Sequence, residues 1–170
     1  MNHFFVDAET DGLYGTFLSI AVIVTDENGH EAEQFYGAVL LPQESIHSQW
    51  VLENVYPYLK NADTLYKDEE ALLEAFWQVW LKHRENCMCI TDVGHPVESR
   101  LFTSCVNKNL TEREWLAPFP MFELSTLLLT NGINPLIDRK KLSGLSLTAH
   151  DAINDVRMMA ELWHRYTHKP

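Results

Sequence analysis

Two acidic side chains near the start of the sequence, Asp7 and Glu9, are spaced to act together. They end an apolar-rich segment, residues 3–9, that has the composition of a β-strand. Because alternate residues of a strand point to the same face, the two carboxylates are expected to lie side by side. Neighbouring like charges repel each other and lose hydration, so the pair favours a divalent cation between oxygen ligands. The plain alternative is a solvated strand end with two unpaired acids.

A second reactive pattern, His150 followed by Asp155, lies near the other end of the sequence. The histidine leads into a predicted helix, and an acid five residues later can flank the same pocket at the N-terminus of that helix. The imidazole could then accept a proton from water, and the acid could join the metal ligands. The helix dipole alone would explain Asp151 but gives no reason for His150.

A third acidic group, Glu98, follows the short apolar segment that ends near Asp92. A predicted strand ends here and a predicted helix begins, which is where functional groups of α/β sheets usually lie. Glu98 would face the cleft from the first helical turn. The alternatives are a purely structural acid stabilised by the helix dipole, or Asp92 as the functional carboxylate instead.

The rest of the sequence predicts an α/β fold in which a mixed sheet is flanked by helices. Residues 17–25 and 30–40 are predicted strands joined by an Asn28-Gly29 turn, so the chain opens as a three-stranded antiparallel meander. Further strands are predicted over 87–92 and near 115–119. Helices are predicted over 45–59, with a break at Pro57, over 68–83, from Pro96 to Val106, over 123–130 with a cap at Asn131-Gly132, and from about His150 to Tyr166. Residues 133–147 are predicted to be irregular.

Composition bounds the class of protein. The 170 residues are 46% hydrophobic and 22% charged, which predicts one folded domain over residues 1–170. No signal segment or membrane span is visible, so a soluble, cytoplasmic protein is expected. Cys87, Cys89 and Cys105 are too few for a disulfide framework, and the first two are expected to be buried strand residues. The net charge of −11 argues against a protein that wraps long duplexes, because such proteins are usually basic.

Three segments taken together resemble the DEDDh family of 3′–5′ exonucleases. VDAETDGL at residues 6–13 is similar to the first family motif, VGHPVESRLF at 93–102 to the second, and AHDAINDV at 149–156 to the third. The resemblance covers nearly the whole chain. One departure is Glu98, because the family has an aspartate at this place, so the acid is one methylene longer here. Residues 50–59, WVLENVYPYL, are also similar to small stand-alone exoribonucleases.

This resemblance implies an RNase H-like core that binds two divalent ions, Mg²⁺ or Mn²⁺. Asp7 would bridge both ions, Glu9 and Asp155 would hold the ion that carries the attacking water, and Glu98 would support the second ion. His150 would act as general base. The product would be a nucleoside 5′-monophosphate released from the 3′ end of single-stranded nucleic acid.

Candidate substrate contacts follow the same resemblance. Gly12 and Leu13 would approach the terminal nucleotide, His95 or Phe102 would stack on a base, and the basic run Arg139, Lys140 and Lys141 would bind upstream phosphates or form a solvated loop. RNA or short oligoribonucleotides are favoured over DNA because of the acidic charge and the similarity of residues 50–59. Members of the family often form dimers, so a homodimer is one expected assembly. The alternative function is a catalytically inactive nucleic-acid-binding or assembly module that retains the fold.

Overall fold

A six-stranded mixed sheet forms the centre of the computed structural model, which describes residues 1–167. The strands run in the order β4-β3-β2-β1-β5-β6 across the sheet. Their bounds are Asn2–Thr10 (β1), Phe17–Thr25 (β2), Glu31–Val39 (β3), Thr64–Tyr66 (β4), Cys87–Thr91 (β5) and Met121–Glu123 (β6). The predicted α/β class is thereby confirmed.

The three long strands form the predicted antiparallel meander. β1 pairs with β2 from His3 to Thr10, and β2 pairs with β3 after the turn in which Gly29 has a positive φ of 87°. β5 lies parallel to β1, β6 parallel to β5, and β4 parallel to β3. The meander is set by local alternation and the turn residues, whereas the parallel strands need long crossover connections.

Helices cover both faces of this sheet. They are Gln49–Asn54 (α1), Glu69–His83 (α2), Val97–Asn107 (α3), Leu110–Arg113 (α4), Leu124–Thr130 (α5), Arg139–Ser143 (α6) and Ala152–Thr167 (α7). Helices α2 and α3 pack on one face, around Phe4, Val6 and Phe76. Helices α5 and α7 pack on the other face, around Phe5. Because Asp7 and Glu9 have the same strand parity as Phe5, their side chains lie on the α7 face.

Several sequence predictions of the fold are corrected. The strand predicted near residues 115–119 is instead Met121–Glu123, and Trp115 and Phe119 are exposed at 86% and 99%. Apolar composition suggested a strand there, but Pro118 and Pro120 lack the N–H donors that a sheet requires. The strand Thr64–Tyr66 was not predicted, because three residues carry no periodicity.

The predicted helical boundaries also change. Residues 45–59 form α1 and a separate 3₁₀ turn, Tyr56–Asn61, in agreement with the break expected at Pro57. The segment 133–147 is not wholly irregular, because it contains α6, which is capped by the Asp138 side chain. The helix expected from about His150 begins at Ala152. Cys89 is buried on β5, as expected, whereas Cys87 on the same strand is only half-buried; Cys105 is buried on α3.

None of the described helices is both long and apolar enough to cross a membrane.

Candidate active site

The two carboxylates of β1, those of Asp7 and Glu9, lie beyond the last residue of β1 that pairs with β5. β1 is paired with β5 only up to Phe5, while its pairing with β2 continues to Thr10. Asp7 and Glu9 therefore follow the point where the parallel neighbour ends, and no part of β5 covers them. This arrangement leaves one edge of β1 open at the two positions from which Asp7 and Glu9 project towards α7.

The start of α7 brings in the third motif. The backbone N–H of His150 donates to Asp155 Oδ2 at 2.8 Å, which closes the turn over the five residues between them. His150 has a φ of 63°, in the left-handed region that non-glycine residues rarely adopt. The spacing of five residues thus has a local physical meaning, because the acid accepts a hydrogen bond from the histidine backbone while both side chains face β1.

These two segments meet in one cavity of about 420 Å³. Its acidic and histidine lining residues are Asp7, Glu9, Asp92, Asp138, His150 and Asp155. Ligand atoms of Glu9, His150 and Asp155 all lie within 4.8 Å of one another, and His150 Nδ1 is 4.0 Å from Glu9 Oε1. The structure therefore brings together four of the five residues predicted to be catalytic.

The fifth predicted residue, Glu98, reaches Asp7 from another direction. It is 7% exposed in the first turn of α3, and it lines a neighbouring hollow of about 300 Å³ together with Asp7 and Leu13. Asp7 is shared by this hollow and the larger cavity. Asp7 consequently stands between Glu98 on one side and the Glu9, Asp155 and His150 cluster on the other.

Burial and like-charge repulsion raise the pKa values of these acids. Burial raises the pKa of Glu9 to about 8, with further contributions from the charges of Asp155 and Glu98. Burial also raises the pKa of Asp155 to about 7, although the hydrogen bond from His150 opposes the shift. The pKa of Glu98 is raised to about 7 by burial, against the effect of hydrogen bonds from the backbone. Such shifts mark a site whose charges are not balanced by the protein itself.

Asp7 is the most perturbed of these groups. Burial raises its pKa well above the ordinary range, and the charges of Asp155, Glu9 and Glu98 raise it further. Its Oδ2 atom is buried, and no residue within the described part of the chain donates a hydrogen bond to it. A buried carboxylate oxygen without a donor, among other acids, is what a divalent cation would compensate. The residues present therefore fit a metal centre.

His150 has the properties of a neutral imidazole. Burial lowers its pKa below the ordinary value, with a smaller opposing effect of Asp138. Its ring makes an edge contact with the ring of Trp50, at 4.7 Å between centroids. Its nitrogen could bind a cation with Glu9 and Asp155, or accept a proton from water. Because Mg²⁺ and Mn²⁺ prefer oxygen ligands, the second role suits these ions better.

Asp92, the rival to Glu98, lines the same cavity but has a cationic partner. Arg139 donates to both Asp92 oxygens at 2.7–3.0 Å. Arg139 also donates to the backbone carbonyls of Ile137 and Pro135. Its guanidinium is thus directed at protein acceptors, although Arg139 lines the cavity together with Lys140. Lys141 is exposed and is not among the residues that line this cavity.

Of the remaining candidates for substrate contact, three are exposed beside the site and one is buried in the core. Leu13 is 60% exposed beside Asp7, Gly12 is exposed with a φ of 71°, and His95 is exposed at the rim of the hollow. Phe102 is 3% exposed and packs edge-on against Phe76 and Trp80. The prediction that Phe102 stacks on a base is therefore wrong, because its helical position turns it into the core.

Two features of the site were missed by sequence reasoning. Trp50 lies on α1, and its ring contacts the ring of His150. The start of α1 is held in place because the backbone N–H groups of His47 and Ser48 donate to the Asp11 carboxylate at 2.8 and 2.9 Å. Asp151, explained earlier only by the helix dipole, is buried and accepts hydrogen bonds from other elements. An acid next to the motif histidine was the available signal for Asp151, while nothing local indicated Trp50.

Solved structures of exonuclease I share this fold. They include a zinc-bound E. coli exonuclease I in complex with single-stranded DNA, with a TM-score of 0.69 and 15% identity, covering 96% of this chain and 39% of that one. E. coli exonuclease I with a dT13 oligonucleotide has a TM-score of 0.67 and 17% identity, covering 98% of this chain and 41% of that one. Exonuclease I from Methylocaldum szegediense has a TM-score of 0.68 and 16% identity, covering 96% and 40%.

These similarities show that the chain shares the fold of exonuclease I, which confirms the predicted α/β class and, at the level of the fold, the predicted resemblance to exonucleases. The chain spans about two fifths of the length of these exonuclease I chains. No sequence-family model and no curated protein sequence matches the chain.

Proposed function

We propose that this protein is a metal-dependent 3′–5′ exonuclease that hydrolyses single-stranded nucleic acid to nucleoside 5′-monophosphates. The observation that carries the proposal is the convergence of Glu9, His150 and Asp155 beside the unpartnered Asp7 oxygen, on an exonuclease I fold. A bare fold similarity would not require these four polar groups to meet. The raised pKa values of the acids also support it, because a cation would relieve them.

Each group has a distinct task in this proposal. Asp7, Glu9, Asp155 and Glu98 would hold two divalent ions, Mg²⁺ or Mn²⁺, with Asp7 common to both. When bound, such ions supply positive charge that stabilises the attacking and leaving oxygens of a phosphodiester. His150 accepts the proton of the attacking water, for which the lowered pKa of its imidazole keeps it neutral near pH 7.

The substrate enters along exposed residues in the proposed complex. Leu13 lines the hollow beside Asp7, and Gly12 is its exposed neighbour in the chain. Both would contact the terminal nucleotide, while His95 offers a ring at the rim. Lys140 would bind an upstream phosphate, since it lines the cavity that contains Asp7 and Glu9. The overall charge of −11 favours a short contact over an extended one.

The preferred polymer is proposed to be RNA or short oligoribonucleotides. The acidic charge and the similarity of residues 50–59 to small exoribonucleases support this choice. Single-stranded DNA is the second candidate, because the oligonucleotides bound in the solved exonuclease I structures are DNA. A catalytically inactive binding module is the alternative from another class, and it gives no reason for retaining the histidine and all four acids.

The test uses matched single-stranded RNA and DNA labelled at the 5′ end, with Mg²⁺, Mn²⁺ or EDTA. We expect a ladder that shortens from the 3′ end only when a divalent ion is present. An Asp7→Ala variant should give no ladder, while Glu44→Gln, an exposed acid outside the site, should match the unmodified protein. Binding without shortening of either polymer or of a dinucleotide would support the inactive module instead.

A further inference from the structure

A buried carboxyl group, Asp151, lies behind the candidate site and does not line its cavity. It is 5% exposed. Its Oδ1 accepts a hydrogen bond from the hydroxyl of Tyr36 on β3 at 2.7 Å, and its Oδ2 accepts one from the amide of Asn61 at 3.0 Å. A third donor, the side-chain amide of Asn154, lies 3.3 Å from Oδ2. Three separate elements thus converge on one side chain.

The backbone of the same residue directly precedes α7, which begins at Ala152. The Asp151 carbonyl accepts hydrogen bonds from the N–H groups of Asn154 at 2.7 Å and Asp155 at 3.1 Å. Asp151 is therefore the point at which the helix is joined both to its own first turn and, through the carboxyl group, to β3 and the 3₁₀ turn. A displacement of this residue would move both neighbours that face the cavity.

The adjacent backbone needs such a restraint. His150 is held at a φ of 63°, a left-handed conformation that is unfavourable for a non-glycine residue and persists only where surrounding contacts enforce it. The hydrogen bond from the His150 N–H to Asp155 contributes, but both of its partners belong to the same turn. Contacts from Tyr36 and Asn61 come from outside the turn, so they can fix it relative to Glu9 on β1.

We propose that Asp151 is a positioning residue that fixes the start of α7 so that His150 and Asp155 face Glu9. Tyr36 is its principal partner. Burial and the contact with Asp151 raise the pKa of Tyr36 well above its ordinary value, so the phenol stays protonated and donates throughout the neutral range. The expected effect of Asp151 on catalysis rests on the proposed nuclease function, whereas its expected effect on cation binding does not.

The test compares three variants of the full chain. Asp151→Ala removes both carboxyl oxygens and leaves Tyr36 and Asn61 without their acceptor. Asp151→Asn is the conservative variant, because its oxygen can accept from Asn61 while its amide donates to the Tyr36 hydroxyl. Tyr36→Phe removes a single donor. Glu74→Gln is the matched control, since it weakens the pair with Arg113 on the opposite face of the sheet.

Activity and Mn²⁺ affinity are measured well below the unfolding temperature of the least stable variant. Asp151→Ala should lower kcat, and weaken Mn²⁺ binding by calorimetry, by about 10–100-fold, as loss of an outer-shell partner does at metal sites. KM for the oligonucleotide should stay within about twofold, because Asp151 does not line the cavity. Asp151→Asn should recover most of the loss, and Tyr36→Phe should fall between.

A purely structural role would lower the unfolding temperature in all these variants without changing kcat or Mn²⁺ affinity of the folded protein. That result, or an equal loss in Glu74→Gln, would overturn the inference. If the unmodified protein binds Mn²⁺ but cleaves nothing, the proposed function fails, and the Mn²⁺ affinities alone decide the role of Asp151. Absence of Mn²⁺ binding by the unmodified protein would overturn both.

Discussion

Arg139 binds Asp92 through Nε and Nη2, with donor–acceptor distances of 2.7–3.0 Å to the two carboxyl oxygens. The pair joins the end of β5 to the start of α6 and so closes one wall of the candidate site. It also satisfies the oxygens of Asp92 with protein donors, in contrast to the bare Oδ2 of Asp7. We therefore infer that Glu98, and not Asp92, completes the set of acids proposed to bind metal.

The first prediction compares Glu98 and Asp92, the two acids that could complete the site. Glu98→Gln should lower kcat at least about 100-fold, because it removes a charge that would face the metal. Asp92→Asn should lower activity less, since its carboxyl group already has a cationic partner. Steady-state kinetics in saturating Mg²⁺ measures both, and a larger loss in Asp92→Asn than in Glu98→Gln would reverse the assignment.

The second prediction separates the members of the basic run. Arg139→Ala should lower the free energy of unfolding by about 2 kcal/mol, because it leaves Asp92 and two backbone carbonyls without their donor. For a chain of this length that is a fall of about 4–8 °C in the unfolding temperature. Thermal unfolding in EDTA gives the value directly.

Lys140→Ala is the matched substitution for this measurement. The side chain is exposed at the cavity, so the unfolding temperature should change by no more than about 1–2 °C, as for most surface substitutions. Oligonucleotide affinity should instead fall, and the slope of its logarithm against log salt should shrink by about 0.7 for one lost phosphate contact. Equal stability losses in the two variants would contradict the distinction.

The third prediction is that the site costs stability when no cation is present. Asp7→Asn removes one ionisable group from a buried cluster of acids, and with it the cost of burying its charge or of protonating it, so it should raise the free energy of unfolding in EDTA by about 1–3 kcal/mol. The same variant should lose metal-dependent cleavage. Glu44→Gln changes a solvent-exposed acid and should do neither, which excludes a general effect of net charge.

The fourth prediction is a dependence of stability on pH. The pKa of Glu9 is raised to about 8. Those of Glu98 and Asp155 are raised to about 7. Between the ordinary carboxyl values and about pH 8 the folded chain therefore binds more protons than the unfolded chain, so the free energy of unfolding must fall as pH rises. His150 has the opposite sign, because its pKa is lowered, but it is one group against several.

Unfolding temperatures in EDTA should accordingly decrease from about pH 5 to pH 8. A concentration of Mn²⁺ or Mg²⁺ that is about 100 times the dissociation constant at pH 8 should add about 2.7 kcal/mol at that pH. The same concentration should stabilise less at lower pH, where protons compete for the acids and weaken ion binding. Buffer that contains EDTA and no added divalent ion is the reference. Asp7→Asn should show a weaker dependence of the unfolding temperature on pH. An unfolding temperature that is flat or rises over this range would contradict the raised pKa values.

The sequence by itself determined the kinds of group and the local elements that carry them. Acids at alternate strand positions must share a face, so Asp7 and Glu9 could be placed together from spacing alone. The Asn28-Gly29 turn and the apolar runs around it predicted the meander correctly, because a tight turn and a two-residue period are local properties. The motif histidine and its acid were placed correctly for the same reason, since one turn of chain joins them.

Only the tertiary structure decided which of these groups meet and which side chains support them. Phe102 points into the core and Arg139 binds Asp92, although their residue types fitted a base and a phosphate equally well. Asp151 and Tyr36 are 115 positions apart, so no local pattern could pair them. The physical reason is that periodicity reports which face of an element a residue occupies, whereas hydrogen bonds and burial depend on which other element packs against that face.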